Sequence, residues 1–448
     1  MVSIAPALGR IKEELGRVLS REHITQVSRD AGLRWRQRAL DPVTTVYVFI
    51  LQVLHANTAM TNLPRLSGTR FTPSAYCQAR QRLPLEVLRR LLKETGRPLS
   101  LPADAEGRWC GHRTLLVDGS SCSMPDTPSL RERFGLPPGQ KPGCGFPVAH
   151  LLLLFDAHSG AVLDVLVSPW HTHDLRRVAE LFGHLQPGDV LVGDRGFCAY
   201  AQVAWLLAHG VFVVFRMQQK QIVNFQPHRP HAARGRGLPK SLWLARIGEE
   251  DQLVRWFRPE RPSHTLSAAE HTEVPAAVVV RELRYRIGRV GFRTRCVILV
   301  TTLLDPQRYP AEKLAELYRT RWQVETHLRE MKCTMGLNVL HSRTVAGVEK
   351  EVCIFGLVYN LVRAMIRQAA RTQCVPLEHV SFVDALRSLR HWLHPSAPPS
   401  SNDPLHCRTL RPDRLEPRCR KRRPPAYQLM TRPRDALRRE MQERDQAA

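Results

Sequence analysis

The hydrophobic period of this chain changes near residue 113, and that change limits the folds open to it. Up to about residue 100 the apolar residues recur at helical spacing, in Ile4–Leu19, in the apolar run Thr44–His55 and in Leu85–Thr95. From Arg113 they fall into short runs: Thr114–Ser121, Val148–Phe155 and Ala161–Val167, the last two joined by the turn Asp156-Ala157-His158-Ser159-Gly160. A helix (Asp174–Leu185), a strand (Asp189–Phe197), a helix (Tyr200–Ala208) and a strand (Val211–Phe215) are expected next. A hairpin followed by alternating helix and strand specifies a mixed α/β sheet with helices on its faces.

After Met217 that rhythm stops. Asn224–Lys240, rich in His, Pro, Arg and Gly, reads as a loop. The runs Leu242–Ile247, Leu253–Phe257, Ala276–Ile287 and Arg293–Leu304 then predict a β-rich insertion standing outside the main sheet. Helix resumes over Pro310–Met335 and Val345–Ala370. The expected organisation is a helical domain (1–100), a linker over Pro98–Arg108 and an α/β core (110–217 and 306–340) interrupted by the insertion (218–305). A helical region (341–394) and a Pro-rich basic tail (395–448) follow, the tail partly disordered apart from a short helix near Arg434–Arg444.

Charge narrows the function. The chain holds 66 Lys and Arg against 41 Asp and Glu, a net +25 spread along its length. An excess of that size and distribution suits a polyanion bound over a long surface, nucleic acid foremost. No run of eighteen apolar residues is present to span a membrane, and the first ten residues lack the apolar core of a signal peptide. Eleven cysteines with no C-x-x-C pair argue against structural zinc and for reduced thiols in the cytoplasm, at the nucleoid. In the N-terminal part, Arg80 and Arg82 precede a helix and Arg29, Arg34, Arg36, Arg38, Arg65 and Arg70 punctuate loops. Such a module fits a DNA reader, and equally a packing cap with solvated arginines.

The stretch Tyr318–Lys332 contains neither Gly nor Pro and reads as helix. At about 100° per residue a spacing of seven nearly closes two turns, so Tyr318, Glu325 and Lys332 share one stripe with Arg321 and Arg329 one turn either side of Glu325. Alone, this is also what a solvated helix face with i,i+4 pairs looks like. Two further carboxylates weigh against that. Asp118 and Asp194 each end a short apolar strand and are followed by small or flexible residues. Carboxylates delivered at strand ends suit a hard divalent cation such as Mg²⁺. Two such ions, about 3.5–4 Å apart, clamp the attacking and leaving oxygens of a phosphoryl displacement. Glu325 would complete the ligand set, and Arg321, Lys332 and Tyr318 would contact phosphates. Asp156 and Asp189, by contrast, read as turn-capping aspartates. His171 and His173 read as helix-capping or loop residues that could approach the metal, and Trp243 and Trp256 as strand core.

Asp118-Gly119-Ser120, Gly193-Asp194-Arg195-Gly196-Phe197 and the Y-x2-R-x3-E-x6-K run Tyr318/Arg321/Glu325/Lys332 together resemble the bacterial insertion-sequence transposases of the family numbered four. The resemblance covers roughly residues 70–370. It implies a ribonuclease-H-like fold with a β-rich insertion before the glutamate and a catalytic triad of Asp118, Asp194 and Glu325. It further implies one or, more typically, two Mg²⁺ or Mn²⁺ ions, cleavage at transposon ends, 3′-OH attack on a second strand and a synaptic homodimer on double-stranded DNA. Tyr318, Arg321 and Lys332 would then hold the DNA backbone at the cleaved end, with Arg329, Arg195, Arg80 and Arg82 as further DNA contacts. Relatives that cut through a DNA hairpin stack a flipped base on an insertion-domain Trp, and neither Trp243 nor Trp256 stands at the expected distance before Glu325. Two rival readings share parts of the pattern: a metal-dependent nuclease without strand transfer, and a domesticated DNA-binding protein without catalysis.

Overall fold

The computed structural model describes residues 14–101, 107–137, 143–172, 176–229, 233, 235, 237–262, 266–286, 296–392, 404–407 and 430–447. Helices α1 (Glu14–Val18), α2 (Arg21–Asp30), α3 (Pro42–Leu54), α4 (Leu63–Ser67), α5 (Pro73–Arg82) and α6 (Leu85–Ser100) make the N-terminal part. Their starts are written in the sequence. Asp41 and Thr72 each cap a helix whose first residue is proline, accepting from the amides of Thr44 and Ala75. Every residue of α3 is buried, which explains its continuous apolar run.

The linker expected over Pro98–Arg108 is corrected in its first part. Helix α6 runs on through Pro98 to Ser100 because Leu99 and Ser100 are buried there, Ser100 donating to Asp156. Proline so near a helix end removes a single backbone bond. Gly96 lets α6 lie against the sheet, since a Cβ there would stand 2.6 Å from the Val162 carbonyl oxygen.

The α/β part holds β1 (Thr114–Ser123), α7 (Pro128–Phe134), β2 (Val148–Asp156), β3 (Val162–Pro169), a 3-10 turn (Val178–His184), β4 (Val190–Gly193), α8 (Tyr200–Ala208) and β5 (Phe212–Arg216). It continues with β6 (Ser241–Gly248), β7 (Asp251–Phe257), α9 (Ala268–Glu273), β8 (Ala277–Arg286) and β9 (Cys296–Thr301). All nine strands form one mixed sheet in the order β3-β2-β1-β4-β5-β9-β8-β7-β6. β1, β2 and β3 are antiparallel neighbours, and β4 and β5 run parallel to β1. Alternation along each strand feeds two cores. Leu116, Leu153, Val192 and Val214 join the core shared with the N-terminal helices. Leu115, Val117, Leu152, Leu191, Val213 and Phe215 join the one under α8.

Segment 218–305 is β-rich, as expected, but it does not stand outside the main sheet. β9 pairs antiparallel with β5, and β8, β7 and β6 continue outward from it. The edge of β5 would otherwise present unpaired backbone groups, and β9 satisfies them. The helix expected over Asp174–Leu185 is reduced to the 3-10 turn, and His173 and Asp174 lie outside the described residues.

Helices α10 (Ala311–Thr320), α11 (Trp322–Arg329), α12 (Val345–Gln373), α13 (Phe382–Trp392) and α14 (Arg434–Ala447) complete the chain, the last where a short helix is expected. α12 is 29 residues long and buried along most of its length, and its residues share one core with the N-terminal helices and the sheet. No helix among the described residues is long and apolar enough to cross a membrane.

Candidate active site

Strands β1 and β4 are paired in parallel, with Val117 opposite Gly193. The residues that follow, Asp118 and Asp194, therefore stand side by side where β4 ends and β1 continues. In open α/β sheets the crevice beyond the carboxyl ends of parallel strands is the usual place for a ligand. Local sequence holds both acids there. Gly119 donates its amide to the Asp118 carboxylate at 2.8 Å. Gly193 has no room for a side chain, because a Cβ would meet the rings of Phe215 and Phe197 at 3.1 and 3.2 Å. Phe197, buried in the core, pins the turn after Asp194, its amide bonded to the Asp194 carbonyl.

The third acid comes from α11. The expected continuous helix over Pro310–Met335 is segmented. At Arg321 the backbone bonds tighten to i→i−3, and over Glu330–Thr334 they widen into a π turn. Tyr318, Arg321 and Lys332 nevertheless reach β1 or the residue after β4, and Glu325 is joined to them through Arg321. Tyr318 donates to Asp194 at 3.2 Å. Arg321 lies 3.6 Å from Asp118 and 3.9 Å from Glu325, one guanidinium spanning two of the acids. Lys332 donates to Ser120, two residues beyond Asp118 on β1, at 3.2 Å.

Electrostatics follow from that packing. Arg321 is buried while the carboxyl-bearing side chains of Asp118, Asp194 and Glu325 are 24%, 33% and 50% exposed, so the acids face outward from a cationic floor. Burial opposes the Arg321 charge, but Tyr318, Asp194, Asp118 and Glu325 outweigh it and hold the group above its ordinary pKa. Burial pushes the Tyr318 phenol far upward, which keeps it a neutral donor to Asp194. Among the described residues no three His, Cys, Asp or Glu side chains are gathered closely enough to hold an ion unaided. The donor set fits a hard cation all the same: two neighbouring carboxylates at a sheet end and a third across a guanidinium, all oxygen ligands.

Two members of this site escaped the sequence. Arg216, the last residue of β5, approaches Asp194 at 4.0 Å, because Phe215 is paired with Gly193. The signal was present, an arginine closing an apolar strand, but its meaning depends on which strand lies next to β4. Tyr285 on β8 is the other: burial raises its phenol, and the charges of Arg319, Arg216 and Arg321 oppose that rise.

The remaining expectations divide. Arg195 and Arg329 are exposed beside the site. Arg82 is exposed and, with Arg34, Arg36 and Arg38, lines a groove of about 410 Å³ on the N-terminal helices. Arg80 is a correction. It is buried over the Phe49 ring at 3.8 Å and donates to Gln52 and Ser342, so it ties α5 to the chain before α12 and offers nothing to a partner. Asp156 caps the β2–β3 turn through Ser159, and Asp189 pairs with Arg113. Trp256 is core, donating to buried Glu282, and Trp243 is half-buried against His228. His171 lines a cavity of about 510 Å³ beyond the ends of β4 and β5, together with Tyr200, Gln218 and Trp256.

The sequence model of the family described as "Transposase DDE domain" matches residues 109–361, which include all three acids and the whole Tyr318/Arg321/Glu325/Lys332 signature. The chain is 24% identical over 317 residues to transposase InsG for insertion sequence element IS4 of Escherichia coli (strain K12). That match takes in 70% of this chain and 65% of the relative, so just under two thirds of the relative's length is spanned. It is 20% identical over 390 residues to the transposase for insertion sequence element IS231F of Bacillus thuringiensis subsp. israelensis, 79% of each. Among solved structures, a piggyBac transposase synaptic complex with hairpin DNA aligns over 85% of this chain and 79% of that one, at 11% identity and a TM-score of 0.44.

Proposed function

Since the chain belongs to the transposase DDE-domain family through residues 109–361, we propose that it is a DNA transposase that cleaves the ends of its element and joins them to target DNA by metal-dependent phosphoryl transfer. The observation that supports this reading is that Arg321 stands 3.6 Å from Asp118 on β1 and 3.9 Å from Glu325, with Tyr318 of the same segment donating to Asp194 just past the end of β4. Arg321 already stands between Asp118 and Glu325, and a divalent cation bound by the three acids would offset their remaining repulsion. The antiparallel β1–β3 followed by parallel β4 and β5 supports reading that half of the sheet as ribonuclease-H-like.

In this reading Asp118, Asp194 and Glu325 hold one or two Mg²⁺ or Mn²⁺ ions. Such ions, when bound, supply activation of the attacking hydroxyl and stabilisation of the leaving oxygen. The chain's own residues do the rest. Tyr318 and Arg216 fix the Asp194 carboxylate from the inner side. Arg321 offsets the mutual repulsion of Asp118 and Glu325 and would receive the scissile phosphate. Lys332 with Ser120, and the exposed Arg195 and Arg329, take flanking phosphates of double-stranded DNA, and Arg82 with Arg34, Arg36 and Arg38 hold a more distant stretch. A homodimer would pair two ends in synapsis. With Trp256 in the core and Trp243 packed on His228, neither supports a stacked flipped base.

The test is nicking of a plasmid carrying the gene with its native flanks, in Mg²⁺ or Mn²⁺. Asp194→Asn keeps the size but removes the ligand charge, and should reduce end cleavage to background while end binding in a gel-shift assay stays within twofold of wild type. Arg321→Ala should weaken the hold on cleaved ends. An Asp194→Asn protein that nicks at the wild-type rate would remove the catalytic assignment. Cleavage without any strand-transfer product would mark a nuclease instead.

A further inference from the structure

Behind the acids, on the inner side of α11, lies a second polar cluster. His327, two residues after Glu325, is buried, as are Glu330 and Tyr359. The Tyr359 hydroxyl donates to the Glu330 carboxylate at 3.0 Å and meets His327 Nδ1 at 2.9 Å. With its single hydrogen given to Glu330, the hydroxyl accepts from His327, which assigns the ring proton to Nδ1. His327 and Glu330 are thus joined through one phenol on α12. The β2–β3 turn closes the cluster from the other side. A Cβ at Gly160, where φ is +70°, would stand 2.7 Å from the His327 ring and 2.9 Å from Arg363, and Arg363 donates to the Ser159 carbonyl at 2.6 Å.

Glu330 is also where the π turn begins. Its carbonyl accepts the Met335 amide at 3.0 Å, an i→i+5 bond, while Met331 and Met335 are buried on the same side. A π turn is uncommon and persists where surrounding packing holds it. Lys332 sits in its middle, aimed at Ser120. The phenol that fixes the Glu330 side chain therefore fixes the start of the turn that aims Lys332, and, through His327, the helix that carries Glu325.

We propose that Tyr359, acting with His327 and Glu330, is a positioning residue of the reaction, one that sets Glu325 and Lys332 against the aspartates of β1 and β4. The proposal rests on the transposase reading above. Tyr359→Phe is the appropriate change, because it deletes the hydroxyl and leaves the ring against Phe382. Displacements of about 1 Å at such a remove cost on the order of a hundredfold in rate. Single-turnover nicking of the plasmid with native flanks, under saturating protein, should fall about ten- to a hundredfold, with end affinity changed far less than the rate and melting still cooperative.

Glu330→Gln, which keeps the size and an acceptor, should lose less. A double-mutant cycle separates positioning from general stability. If Tyr359 acts through Lys332, then adding Tyr359→Phe to Lys332→Ala should cost little beyond Lys332→Ala alone. Wild-type nicking by Tyr359→Phe overturns the proposal. So does a loss of rate matched by a loss of end binding or cooperative melting, and losses that multiply in the double variant overturn the route through Lys332. A wild-type protein that does not nick at all overturns the transposase reading itself, and the cluster's role with it.

Discussion

Arg80 and Arg82 are two residues apart and have opposite fates. Position 80 on α5 turns inward onto Phe49, Gln52 and Ser342, and position 82 ends the helix on the exposed groove. Replacing Arg80 by Ala should leave buried acceptors short of a donor and cost about 1–3 kcal/mol of stability, read as a fall in the denaturation midpoint. Arg82→Ala should leave that midpoint unchanged and weaken DNA binding by removing a phosphate contact. A stable Arg80→Ala protein with impaired binding would reverse the two assignments. Arg321 shows the same lesson at the acids: it lies close to Asp118 and Glu325, so an organising role stands beside the proposed phosphate contact.

At the scale of elements, strands β6 to β9 raise the question of what holds an outlying half-sheet in place. Part of the answer is buried and polar. Glu282 on β8 accepts from Trp256 at 3.0 Å and Gln252 at 2.8 Å on β7, with Arg229 at 3.7 Å. Burial raises the Glu282 pKa despite those donors. The folded state therefore holds this proton to higher pH than the unfolded chain, whose glutamate titrates near 4.3. Stability from this group is full below that value and is lost as pH rises through the folded pKa. Glu282→Gln removes the titration. The variant's melting temperature should gain on wild type as pH is raised from 5 to 8, and a gap that narrows instead would show that Arg229 dominates.

For the whole molecule the net charge of +25 is the governing number. Each phosphate neutralised should steepen the log–log dependence of binding on salt by about 0.9. The exposed Arg34, Arg36, Arg38 and Arg82 line a groove on the N-terminal helices, while Arg195 and Arg329 follow the proposed acids in the chain, so if both bind DNA the slope for a duplex long enough to reach both should exceed the slope for a short one. Titrations from low to high salt with two duplex lengths test this, and equal slopes would mean that only one surface is used. The N-terminal helices, the sheet and α12 share one core, so both surfaces are carried on a continuous packed body.

Much of this was legible from residue order alone. The period change at 113 announced the mixed sheet, and the apolar run Thr44–His55 announced α3. Asp118 and Asp194 after short apolar runs, with the seven-residue stripe through Glu325, singled out the proposed acids, although β1 runs on past Asp118 to Ser123. These are local signals, set by backbone geometry and by which face a residue must bury. Other features depend on what lies across a gap in sequence. The pairing of β5 with β9 joined the insertion to the main sheet, and the neighbour relation of β4 and β5 brought Arg216 to Asp194. Packing between α5 and the segment before α12 turned Arg80 inward, and Tyr359 on α12 holds the π turn that aims Lys332. Periodicity carries no information about which distant element will cover an edge, fill a groove or accept a buried proton; only the closed tertiary structure decides those.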